Sequence, residues 1–94
     1  MVPVQDLTAG ILAAVIRRQP PSRERTAFAW QLAAGTALAR SATVDLESGV
    51  LSVRPRTRQW AREIERAADM IVMRMQHLLG PEAVTRIDIR PILE

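Results

Sequence analysis

Apolar residues recur at three- and four-residue intervals after Asp6, at Leu7, Ile11, Ala14 and Val15, and the run closes on Arg17 and Arg18, where cations suit the negative end of a helix dipole. This spacing predicts a helix over 6–18, ended by Pro20 and Pro21, because proline offers no amide hydrogen and disfavours a helical residue before it. Ser22 is placed to cap a second helix over 22–40, with Phe28, Leu32 and Ala39 on one stripe and Trp30, Ala33, Ala37 and Leu38 beside it. From Ala42 the period falls to two. Ala42, Val44 and Leu46 alternate with Thr43, Asp45 and Glu47, and the alternation resumes after Ser48-Gly49 at Leu51 and Val53, which predicts a tight hairpin over 42–54. Pro55 is expected to stop the second strand. Thr57 then caps a long helix over 58–79, with a broad apolar face of Trp60, Ile64, Ala67, Ala68, Ile71, Met75, Leu78 and Leu79, and Gly80-Pro81 ends it. Ile87 and Ile89 alternate with Arg86, Asp88 and Arg90, a last strand over 85–90.

The order is ααββαβ. A strand-helix-strand unit makes the second and third strands parallel through a right-handed crossover, while the hairpin strands are antiparallel. The expected fold is α+β, two layers, with a three-stranded mixed sheet packed on helices. The 94 residues suffice for one core, so residues 1–94 are read as a single domain.

Composition narrows the function. Apolar residues at 48% against 24% charged mark a globular chain rather than a disordered one. The absence of cysteine excludes disulfides, thiol catalysis and thiolate metal sites. Near the N-terminus the longest purely apolar run, 11–16, is followed by Arg17 and Arg18 and is too short for a signal peptide or a membrane span, so a cytoplasmic protein without membrane association is expected.

Candidate chemistry is sparse. His77, the one histidine, sits late in a helix among Met75, Gln76, Leu78 and Leu79, without the base and orienting group that acyl transfer needs. Glu63 and Glu65, two apart on a helix, diverge around its axis, so paired-carboxylate chemistry is not expected of them. The acids show no metal-ligand spacing, the four glycines are scattered, and there is no lysine for a phosphate loop. A non-enzyme without metal, cofactor or small-molecule substrate follows.

Charge placement remains. All 13 basic residues are arginine, and residues 54–66 hold five of them against two glutamates. Arg54, Arg56 and Arg58 alternate, and Arg58, Arg62 and Arg66 follow at four-residue spacing along one helix face, beside a helix start that also favours anions. Such a strip suits a sugar-phosphate backbone; equally, it reads as a solvated face with local pairs of Arg62 with Glu65 and Arg66 with Asp69. Trp30 and Trp60 align with apolar neighbours at helical spacing and read as packing residues rather than base-stacking platforms, with Trp60 a core anchor. Nucleic-acid binding by this chain would then be weak, backbone-led and salt-sensitive.

Taken together, Trp30 with Gly35, then Ser48-Gly49-Val50-Leu51-Ser52-Val53, Trp60-Ala61-Arg62-Glu63-Ile64, Leu79-Gly80 and Ile87-Asp88-Ile89-Arg90 resemble the DciA family of bacterial replicative-helicase loaders, with Trp30, Gly35, Gly49, Trp60, Ile64 and Gly80 as landmarks. The resemblance implies a KH-like domain that contacts the replicative helicase and assists its placement on single-stranded DNA, with Arg54, Arg56, Arg58, Arg62 and Arg66 as candidate DNA contacts on charge grounds. The glycine-rich loop that grips nucleic acid in ordinary KH domains is missing. Ser41-Ala42-Thr43 stands where relatives often carry a His-Thr pair and a proline, and Gln76 stands for an asparagine. Relatives often carry a polar or basic extension as well, so if extensions make the contacts, a reduced protein with one of the two activities is expected. The alternative is a protein-interaction or homodimerisation domain without nucleic acid, favoured by Leu12 and Ile16, which lie off the Leu7, Ile11, Val15 stripe and give the first helix apolar groups on more than one side.

Overall fold

The computed structural model describes residues 4–92, and side chains from residue 10 onward. The ends of the expected 1–94 domain and the Leu7 side chain lie outside those residues. The elements are α1 (Val4–Arg18), α2 (Arg23–Ala34), α3 (Thr36–Arg40), β1 (Ala42–Glu47), β2 (Val50–Pro55), α4 (Arg58–Leu79) and β3 (Arg86–Ile89). The sheet order is β1-β2-β3, with β1 antiparallel and β3 parallel to the central β2. This is the α+β, three-stranded mixed sheet that the alternation and the single crossover helix require.

Both capping residues act as the sequence indicates. Ser22 Oγ accepts from the Arg25 amide at 3.0 Å and Thr57 Oγ1 from the Trp60 amide at 3.1 Å, each satisfying a donor that the helix start leaves open. The hairpin turns through Ser48 and Gly49, both at positive φ, which matches the twist of the flanking strands. The Gly49 carbonyl accepts from the Thr85 amide at 2.7 Å and from the Thr85 hydroxyl at 3.0 Å, so the turn also fixes the entry to β3. A Cβ at Gly49 would stand 2.9 Å from Thr85 Oγ1, so glycine is what permits the approach. β2 extends through Pro55, one residue past the expected hairpin end; Pro55 is buried and pairs with Ala42 at the strand's last position.

The expected helix over 22–40 is broken. Gly35, at φ +87° and ψ 157°, ends α2 and starts α3, its amide closing on Gln31 O at 3.0 Å while its own carbonyl accepts from Ala39 at 2.9 Å. The chain folds back, and Trp30 Nε1 donates to Ala39 O at 3.4 Å. An L side chain adopts that backbone region only under strain, whatever space surrounds it. Gly35→Ala is therefore expected to lower stability by about 1–3 kcal/mol, read as a shifted midpoint in a urea titration with unchanged slope.

One face of the sheet is covered. Leu51, Val53 and Pro55 of β2 meet Ile64, Ile71 and Met75 of α4, and Trp30, Ala29 and Ala33 of α2 complete the core with Val84. Three expectations about faces need correcting. On α1 the packed residues are Ala13 and Ile16, with Ile11 and Val15 exposed, the reverse of the expected stripe. On α2 Phe28 and Leu32 are exposed while Thr26, Ala29, Trp30 and Ala33 are buried, so the packed face joins small residues with one tryptophan. Trp60 is half-buried and stands outside the buried cluster, bordering a surface recess with Gln59 and Glu63, so it is not a core anchor.

Candidate nucleic-acid interface

The side of the sheet turned away from the helices is polar. Thr43, Asp45 and Glu47 of β1 share it with Ser52 and Arg54 of β2, and these line a shallow recess with Arg90. Its charge alternates along the strands: near the hairpin turn Val50 lies between Glu47 and Arg86. The register sets Asp45 opposite Ser52, and Ser52 in turn opposite Asp88, so carboxylates occupy the middle. Beyond them, Thr43 faces Arg54, and the Arg90 amide donates to Val53 O at 2.7 Å, which brings Arg90 beside Arg54 at one end. That is the end where β2 gives way to α4.

The arginines expected to form one strip do different things there. Arg54 is exposed on the open sheet face. Arg56 is exposed but tied down, its Nε donating to Arg40 O at 2.9 Å and its amide to Ser41 O at 2.8 Å. Arg58 and Arg62, one helical turn apart on α4, are exposed and make no side-chain hydrogen bond or ion pair among the described residues. Arg66 pairs with Glu63 at 3.4 Å; the pairs expected from spacing, Arg62 with Glu65 and Arg66 with Asp69, do not form. With both side chains open to water, the Arg66–Glu63 pair contributes at most a few tenths of a kcal/mol. The strip therefore wraps around the end of the sheet, from Arg54 and Arg90 on the open face, past Arg56, to Arg58 and Arg62 on α4.

Arg90 was not among the candidates, nor was Arg40, which lies at the same end through its contact with Arg56. The alternation that predicts β3 carries the signal for Arg90: in a parallel pair with β2, the residue after Ile89 must arrive beside Arg54. Other arginines are engaged as helix caps. Arg17 donates to His77 O at the end of α4, Arg25 reaches Leu79 O at 3.5 Å and Gln19 O at 3.0 Å, and Arg74 donates to Ala33 O at 3.1 Å at the end of α2. Each satisfies a carbonyl that a helix terminus leaves open and places a cation at its negative end. Of the landmarks, Trp30 and Ile64 are buried, and Gly80 caps α4 through its amide to Gln76 O at 2.8 Å.

Among the described residues no group of three or more His, Asp or Glu side chains could hold a metal ion, and no helix is long and apolar enough to cross a membrane. The family model described as "Dna[CI] antecedent, DciA" matches residues 3–89, nearly the whole chain. The chain belongs to the DciA family. No curated protein and no solved structure matches it. Members of the DciA family serve DNA replication as helicase loaders and associate with the replicative helicase. In this DciA chain, Arg54, Arg58, Arg62 and Arg90, all without a side-chain partner among the described residues, stand at one sheet end, while Arg86 stands at the other.

Proposed function

We propose that this KH-like DciA domain binds the backbone of single-stranded DNA at the arginine-rich sheet end and, in association with the replicative helicase, assists its loading or recruitment. The observation that carries the reading is the convergence of Arg54 of β2, Arg90 just after β3, and Arg58 and Arg62 of α4 on one end of the molecule with no anionic partner among the described residues. Phosphates spaced along a flexible strand can follow such a bent row, whereas a planar small anion would engage one or two members. The carboxylates of Asp45 and Asp88 at mid-face separate that end from Arg86, which has Glu47 close by, and so disfavour a strand running across the open face.

The test is fluorescence anisotropy of a labelled oligothymidine titrated with the protein at several salt concentrations. Saturable binding is expected, with log K falling linearly against log salt by about 0.7 per phosphate contacted. In the Arg58→Ala, Arg62→Ala protein that slope should flatten by about 1.4, since two contacts are gone, while the circular dichroism spectrum stays that of the wild type. Equal slopes for the two proteins would remove α4 from the interface.

A further inference from the structure

The helical layer carries a second surface that the arginine end does not use. Leu12 of α1, Leu32 and Ala33 of α2, and Met73, Arg74 and His77 of α4 line a groove of about 430 Å³, with the buried Leu78 also bordering it. Met73 is 64% exposed and Leu32 40%, large side chains that a solvated helix face does not need. From Arg58 to Met73 is roughly 22 Å along the helix axis at 1.5 Å per residue, so the groove is a separate site.

Its electrostatics select the occupant. The ionisable residues in the lining are Arg74 and His77, with no acid among them. Arg74 spends one Nη on Ala33 O and keeps further N–H groups to offer, and the Arg17 guanidinium sits on the carbonyl of His77 at the same end. A second copy of this chain is a poor match, because α1 and the start of α2 carry Arg17, Arg18, Arg23 and Arg25 and would meet like charge. We propose that the groove seats an amphipathic helix of a protein partner, apolar on one side and lined with Asp or Glu along the flank that meets Arg74 and Arg17. Apolar anchors at i, i+3 or i+4, and i+7 fill such grooves, and the flexible Met73 side chain adjusts to the shapes presented. The proposal stands whether or not the arginine end binds DNA.

Two fluorescein-labelled 18-residue helical peptides test it, each with leucine on one face and the flanks all Glu in one and all Lys in the other. The Glu peptide is expected to bind saturably, at least tenfold more tightly than the Lys peptide. Met73→Glu, at an exposed helical position, should weaken the Glu peptide at least tenfold. Val15→Glu, in a separate cleft between α1 and α2, should change it less than twofold. Equal affinity for both peptides, no binding of either, or binding indifferent to Met73→Glu would each overturn the proposal. So would sedimentation velocity showing a wild-type dimer that Met73→Glu dissociates, since the occupant would then be a second copy.

Discussion

Trp30→Ala is expected to remove a large share of this domain's stability. Trp30 is 3% exposed, packs within the buried cluster and donates from its ring nitrogen to Ala39 O. Truncating a buried tryptophan loses about 3–5 kcal/mol through lost burial and the cavity left behind. A chain of 94 residues has a total stability of roughly 5–14 kcal/mol at about 0.05–0.15 kcal/mol per residue. The ring also ties α2 to the end of α3 through that bond, so the route into β1 loses one of its attachments. Trp60→Ala, by contrast, should cost about 1–2 kcal/mol, the value for a residue only partly withdrawn from water. Thermal melts of the two variants give the ordering directly. A larger loss at Trp60 than at Trp30 would mean that the core centres on the start of α4 instead.

Charge reversal at the sheet end is the second large effect. Arg54→Glu with Arg90→Glu should weaken single-strand binding on the order of 100-fold at low salt, because two cations beside one another are replaced by groups that repel phosphate. Both residues are exposed and neither side chain donates to another described residue, so the melting temperature should hardly move. Asp45→Asn with Asp88→Asn tests the same field from the other side: removing the carboxylates at mid-face should tighten binding a few-fold. Anisotropy titrations of both variants decide the matter. An unchanged affinity after the reversal would place the DNA elsewhere on the molecule.

The strands and α4 were legible because their signals are local. Alternation on β1 and β2, a serine-glycine turn, and Thr57 as a cap each act within a few residues, and the one long crossover leaves β3 no parallel neighbour but β2. The packed faces of α1 and α2 were not. A helix with apolar groups on several sides does not say by periodicity which one is buried, and on α2 the buried side is that of Ala29, Trp30 and Ala33 rather than of Phe28 and Leu32. The division of the arginines was hidden for a different reason. Whether Arg17, Arg25, Arg56 or Arg74 is available to a ligand depends on which helix end lies within reach, and three of the four find a carbonyl more than 30 positions away in sequence. The candidate site was thus visible as a surplus of positive charge near residue 54, while which arginines stand free there depends on tertiary contacts.

The use of guanidinium groups on carbonyls rather than on carboxylates has a consequence for the conditions this protein tolerates. The described residues hold a single ion pair, on the surface, whereas the ties between helices run from Arg17, Arg25 and Arg74 to main-chain oxygens, the last two part-buried. Mobile ions weaken attraction between exposed charges, and they weaken short, partly sheltered contacts of this kind far less. Brine concentrated enough to break the Arg66–Glu63 pair would therefore leave the architecture standing, and under the proposed function salt would release a bound strand from the sheet end without denaturing the domain.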